Sequence, residues 1–129
     1  MPMTRSSVTR VLLAVPVLAC VSVIAAGQAS TLTASQAADH LGKQATVCGK
    51  VASGRYAQSA RGQPTFLNLD APYPNPVFTI VIWRDSREKF GAVEEKYRDK
   101  AICVTGKITS YRGEAQIVAT DPKQISLKR

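Results

Sequence analysis

The sequence predicts an all-β domain: a small closed barrel of five strands, with a helix between the third and fourth strands and a short helix at the start. Three observations carry this expectation. Runs rich in β-branched or alternating apolar residues recur five times between residues 43 and 120, and the one stretch of helical composition falls between the third and fourth of them. The first and fourth runs are long, and each carries an interior glycine, Gly49 and Gly106. Such a glycine weakens a flat strand but suits one that bulges or coils sharply, as strands must when a small sheet closes on itself. No linker, low-complexity tract or second core divides residues 30–129, so one domain is expected there.

Taken in order, the short helix starts at Thr33 as N-cap, spaces Ala34, Ala37, Ala38 and Leu41 along one side, and stops at Gly42. His40 on it reads as a solvated surface residue. "KQATVCGKVASG" is the first strand and "SGRYAQSARGQ" the polar loop after it. "PTFLNLD" alternates as a second strand, "APYPNP" makes a proline-rich turn, and "VFTIVIWRD" is a third strand apolar on both faces. Residues 86–100, "SREKFGAVEEKYRDK", read as a helix despite Gly91, with Phe90, Val93 and Tyr97 sharing one side. Both faces of the third strand are apolar, so the sequence does not assign Trp83 to core or surface; covering the end of that helix near Phe90 is one reading, and Trp83 is left out of the site. "AICVTGKITSY" and "EAQIVAT" form a closing hairpin whose tip is Tyr-Arg-Gly, and "DPKQISLKR" ends the chain.

The two long strands echo each other. "GKQATVCGKV" aligns with "DKAICVTGKI" at an offset of 57, pairing Lys43 with Lys100, Val47 with Val104, Gly49 with Gly106 and Lys50 with Lys107. The period occurs once, which fits barrel geometry and not a repeat protein.

Residues 1–29 read as a secretory signal peptide. Arg5 and Arg10 precede an apolar run from Val11 to Ala26, and Gly27 and Ala29 place small residues before a cleavage point at Ser30. Those 16 residues, interrupted by Pro16, fall short of the roughly 20 that a spanning helix needs. A second reading is a lipoprotein, with "VLAC" as the lipidation box at Cys20, although the chain stays apolar beyond it. Either way the protein is expected to be periplasmic or secreted. Residues 30–129 keep 15 of the 17 basic residues and all nine acids, a charge of +6 that suits a polyanionic partner without requiring one. In an oxidising compartment Cys48 and Cys103 form an even pair, for which a disulfide is the default; with one histidine and no third thiol they make a poor zinc site.

"VCGKV", "TFLNLDAPYPNPVFTIVIW", "CVTGKITSYRGEAQIV" and "DPKQI" resemble a group of small exported bacterial OB-fold proteins described as nucleic-acid-binding. The resemblance covers nearly all of residues 30–129 and implies a five-stranded Greek-key OB barrel. Such a barrel pairs its first and fourth strands antiparallel; the internal echo then sets Val47 opposite Val104 and hence Cys48 opposite Cys103. It also implies a ligand groove on strands two and three, between the loop after strand one and the hairpin joining strands four and five. The first loop is expected to carry Arg55, Tyr56 and Arg61, and the hairpin Tyr111 and Arg112. On strand two, Phe66 and Asn68 face the groove if Leu67 and Leu69 face the core. Aromatic rings interleaved with guanidiniums suit single strands, since bases stack on rings and phosphates pair with arginines.

Enzymatic chemistry finds little support in the sequence. Asp70, Asp85, Glu88, Glu94, Glu95 and Glu114 are scattered where a metal-dependent nuclease needs a cluster, His40 has no partner set for a triad, and "SARGQ" lacks the lysine of a phosphate loop. The expectation is a binding protein with no cofactor, no metal and no catalytic residues. Two functions remain: an exported binder of single-stranded nucleic acid or another polyanion, and a periplasmic module for a protein partner or small envelope ligand.

Overall fold

The computed structural model describes residue 3, residues 13–19 and residues 30–129. The expected cleavage site at Gly27, Ala29 and Ser30 and the alternative lipidation site at Cys20 fall on or beside positions outside the described residues. Among the described residues no helix is long and apolar enough to cross a membrane.

Seven strands build one sheet: β1 Ser30–Thr33, β2 Gln44–Tyr56, β3 Thr65–Leu69, β4 Phe78–Ile82, β5 Ala101–Tyr111, β6 Glu114–Val118 and β7 Ile125–Leu127. Their order is β1-β2-β3-β4-β6-β5-β7, and β2 also pairs with β5, which closes β2, β3, β4, β6 and β5 into a ring. That is the expected five-stranded barrel. Its one parallel contact, β4 with β6, follows because the chain crosses over between them through two helices and β5. Inward positions are filled by β-branched and leucine side chains, with Val47, Leu67, Ile80, Val104, Ile108 and Ile117 fully buried. At about 25 cal/mol per Å2 of apolar surface removed from water, each contributes roughly 1.5–3 kcal/mol.

The seam between β2 and β5 has the register that the internal echo implies. Val47 faces Val104, Cys48 faces Cys103, and the two cysteines form a disulfide across a sequence separation of 55. Gly106 sits where a Cβ would lie 2.7 Å from Ile117 Cγ2, so a larger residue there would wedge β5 away from the barrel interior. On β2, Gly49 lies in the same seam opposite Ile102, and a Cβ there would come within 2.8 Å of Asp70 Oδ1. Gly54, paired with Leu67 of β3, instead leaves room for α2, where a Cβ would come within 3.1 Å of Glu94 Cβ.

Four local expectations are corrected. β2 continues through Arg55 and Tyr56, past a bulge between Val51 and Ser53, so these two residues lie on a strand and the loop shrinks to residues 57–64. Gly54, in the stretch read as a polar loop, lets the strand pass close to Glu94. Residues 86–100 are not one helix: α1 spans Arg84–Phe90 and α2 spans Val93–Lys96, separated by Gly91 at φ +69. A left-handed glycine stops a helix, since its backbone N–H turns back to cap the Arg87 carbonyl. Phe90, Val93 and Tyr97 are nonetheless all buried against the core. The opening helix is a 3-10 helix, Ala34–His40, whose three-residue period buries Ala34 and Ala37 and leaves Ala38 and Leu41 exposed. Its start is held by the Thr33 backbone N–H donating to Gln36 Oε1 at 2.9 Å. His40 Nδ1 lies 3.0 Å from the Gln36 carbonyl, to which it donates. Finally, β1 and β7 extend the sheet on either side of the β2–β5 seam; both are too short to announce themselves by periodicity.

Candidate functional site

A groove of about 530 Å3 lies on the outer face of the barrel, and the strand register explains its floor. Leu67 and Leu69 point into the core, which turns Phe66 and Asn68 outward. Arg55 is the cross-strand partner of Phe66, Ser53 of Asn68, and Asn68 of Thr79. Asn68 is 5% exposed and fully engaged along the sheet: its Nδ2 donates to Ser53 Oγ at 2.9 Å, and its Oδ1 accepts from Thr79 Oγ1 at 3.0 Å. Asn68 therefore organises the floor. A buried amide left without these partners would cost about 1–3 kcal/mol.

One wall is the β5–β6 hairpin. Tyr111 pairs with Glu114 across its end, and Arg112 and Gly113 between them have φ +50 and +80. Two consecutive positive φ values mark a type I′ turn, whose twist matches that of the flanking strands and which favours Asn-Gly. Arginine at this position is disfavoured by about 1–2 kcal/mol relative to a right-handed conformation. Its guanidinium lies 5.3 Å from the Tyr111 ring centroid, and Tyr111 is 59% exposed.

The opposite wall is not the loop after the first barrel strand, as the sequence suggests, but the β3–β4 connection, residues 70–77. It contributes Tyr73, Pro74 and Pro76. The Tyr73 backbone N–H donates to Ser53 Oγ at 3.2 Å, which ties this wall to the floor. Tyr73 is 72% exposed, and the sequence reading passes over it because "APYPNP" reads as a turn; an aromatic set between Pro72 and Pro74 is the signal that could have found it.

Five of the seven expected residues thus line one groove: Arg55, Phe66, Asn68, Tyr111 and Arg112. Tyr56 and Arg61 do not. Strand alternation puts Tyr56 on the other side of β2 from Arg55, where its ring stacks under Arg87 at 3.6 Å and its hydroxyl donates to Gln63 Oε1. Arg87 Nη2 and Nη1 donate to the Glu94 carboxylate at 2.8 and 3.1 Å, and Nη1 also donates to Thr65 Oγ1 at 2.7 Å. This hydrogen-bonded pairing holds the Glu94 carboxyl below its ordinary value against the opposing effect of burial, and raises Arg87. The cluster fastens α1 and α2 to β2 and β3, and Tyr56 packs in it, lining a separate hollow with Arg84, Arg87 and Glu88. Arg61 is exposed on the loop behind it, where Gly62 rests on the Trp83 ring; that ring is 44% exposed and outside the groove. Among the described residues no group of three or more His, Cys, Asp or Glu side chains is placed to hold a metal ion.

No family model and no curated protein matches the chain. Solved structures do. An OBody bound to hen egg-white lysozyme superposes with a TM-score of 0.55 at 15% identity, covering 80% of this chain and 97% of that one. The asparaginyl-tRNA synthetase of Pyrococcus horikoshii gives 0.51 at 14% identity over 76% of this chain and 23% of its own. An aspartyl-tRNA synthetase from Leishmania major gives 0.50 at 9% identity, covering 83% of this chain; the chain spans about a fifth of that enzyme, 22% of its length. The fold is an OB barrel. The groove of this chain runs over β2 and β3, between the β5–β6 hairpin and the β3–β4 connection.

Proposed function

We propose that this chain is an exported OB-fold binding protein whose groove takes single-stranded nucleic acid. The observation that carries the reading is the convergence of three aromatic rings, Phe66, Tyr73 and Tyr111, with two guanidiniums, Arg55 and Arg112, on one groove. Rings spaced along a groove accept bases of any sequence, and guanidiniums beside them neutralise phosphates. Two of the rings are largely exposed, and burying such surface against a base is favourable where leaving it in water is not. The net charge of residues 30–129 works in the same direction at long range.

A second reading, a protein partner, draws on different atoms of the same groove. Pro74, Pro76 and Ala115 make part of its lining apolar, and Glu114 sets a carboxylate at the hairpin tip, where phosphate is disfavoured. The similar OBody is bound to a protein, lysozyme.

Fluorescence anisotropy of a labelled single-stranded oligonucleotide across a salt series tests the first reading, with an uncharged sugar panel beside it. Two phosphate contacts predict that log K falls with log salt at a slope of about −1.4, at roughly 0.7 per contact. Absence of binding at low salt would overturn it in favour of the protein partner. For the export component, the disulfide is compatible with an oxidising compartment. Intact mass of the product from the native host decides between a start near Ser30 and a lipidated Cys20.

A further inference from the structure

The groove floor has a feature that sequence-tolerant binding does not need. Following the register from strand to strand, Ser53 faces Asn68, Asn68 faces Thr79, Thr79 faces Gln116, and Gln116 faces Thr109. A row of hydrogen-bonding side chains therefore crosses all five barrel strands, and its first four members line the groove. The neighbouring row, Arg55, Phe66, Val81 and Val118, is otherwise apolar. An aromatic and apolar track thus lies alongside a polar one.

The polar row is only partly spent on itself. Ser53 Oγ accepts from Asn68 Nδ2 and from the Tyr73 backbone N–H, and Thr79 donates to Asn68 Oδ1, so the Ser53 hydroxyl keeps its hydrogen. Turning the Asn68 amide over would free the Thr79 hydrogen instead; in either arrangement one hydroxyl donor remains. Gln116 is different. Among the described residues its amide has no hydrogen-bonding partner, although it is half-buried between Thr79 and Thr109 and lines the groove. It stands two residues along β6 from Glu114, the cross-strand partner of Tyr111, a distance of about 7 Å at strand rise. A base stacked on the Tyr111 ring would turn its edge toward that amide.

We infer that Gln116 is a specificity-determining residue, reading the edge of the base stacked on Tyr111 and favouring adenine. The inference rests on the single-strand reading proposed above. A carboxamide presents one acceptor and one donor side by side. On the Watson–Crick edge every base offers such a pair, but on the Hoogsteen edge, the one we assign to Gln116, only adenine presents the complement, the N6 amino group beside the N7 lone pair. The Gln116 Oε1 would accept from N6 and its Nε2 would donate to N7. The unspent hydroxyl of the Ser53–Asn68–Thr79 group, farther along the row, would address the neighbouring nucleotide.

The test compares homopolymers of adenine, cytosine and thymine of about 12 nucleotides, within the 4–16 that one OB barrel covers. The expected result is tighter binding of the adenine strand, on the order of tenfold, as one bidentate contact provides. Replacing adenine by 7-deazaadenine removes the N7 acceptor and should erase that margin. In Gln116→Leu the adenine-to-thymine ratio should fall to about one, while the salt slope, which the two arginines set, keeps its parental value. Gln116→Glu, nearly identical in volume, is the second variant in case leucine disturbs folding. It cannot donate to N7, so its ratio should collapse as well, even if its charge weakens both strands. Equal binding of all three homopolymers by the parent overturns the base reading and leaves the groove as a tolerant single-strand site. An adenine preference that survives both Gln116 variants overturns the assignment to this residue. Failure to bind any oligonucleotide removes the functional proposal and this inference together.

Discussion

Arg112 is the residue where local conformation and placement conflict. Nothing in a two-residue hairpin turn calls for a long cation at φ +50, and asparagine would fit better beside Gly113. Strain held at a groove wall points toward a use for that side chain. The two roles separate in Arg112→Asn: thermal stability should rise, by a few tenths to about 1 kcal/mol, as the left-handed strain is relieved. The same variant should bind single strands more weakly, with the salt slope smaller by about 0.7. Differential scanning fluorimetry and the anisotropy titration read the two changes on one sample. Tyr111→Ala should do the opposite in kind. Its ring is mostly exposed, so melting should hardly move, while binding weakens by about 1–3 kcal/mol at unchanged salt slope. A lowered melting temperature with unaltered binding would make Tyr111 a cap of the barrel and remove it from the site.

At the scale of elements, the two short helices are held less by their own backbone than by the Arg87–Glu94 pair. α1 has seven residues and α2 four, too few to persist alone in water. Arg87 reaches from α1 to Glu94 on α2, to Thr65 on β3 and to the ring of Tyr56 on β2, so one guanidinium joins four elements. The exposures of 21% for Arg87 and 14% for Glu94 leave little water to replace the lost partner. Since the folded-state pKa of Glu94 is lowered, its stabilising contribution is complete above the ordinary carboxylate range and disappears as pH falls through the folded value. Glu94→Gln should therefore melt below the parent at pH 7, by roughly 1–3 kcal/mol, with the difference shrinking toward pH 3. A gap that stays constant over that range would mean that the carboxylate charge contributes nothing.

Over the whole molecule, the disulfide and the glycines act on the same seam. Cys48 and Cys103 join β2 to β5, the pairing that closes the barrel, and the bridge spans a long loop of chain. In the chain-entropy model a loop of this length stabilises by about 4 kcal/mol, chiefly by restricting the unfolded state. The double variant Cys48→Ala/Cys103→Ala should lose up to that amount in a urea titration. Single-strand binding at temperatures where the variant is folded should be unchanged, because the bridge lies outside the groove. Loss of binding with the fold intact would show that the groove depends on the seam.

The sequence by itself determined the barrel. β-branched alternation, two interior glycines and an echoed pair of strands mark five strands. The resemblance to OB-fold proteins implied their order and the antiparallel pairing of the two long ones. The echo then set the β2–β5 register, which holds because one slipped residue would turn every core side chain to solvent. Phe66, Asn68, Tyr111 and Arg112 were legible because alternation on a strand and the position of a hairpin tip are local properties, and the groove implied by the OB-fold resemblance joined them with Arg55. Only the tertiary structure decided what surrounds them. Tyr56 carries the same aromatic signal as Tyr111, yet parity along β2 sends it to Arg87 and away from the groove. Tyr73, inside a proline-rich turn, becomes a wall because β3 and β4 deliver it there. Ser53, Thr79 and Gln116 are ordinary polar residues in the sequence. They line up only through pairings between strands far apart in the chain, and such pairings leave no mark within any single segment.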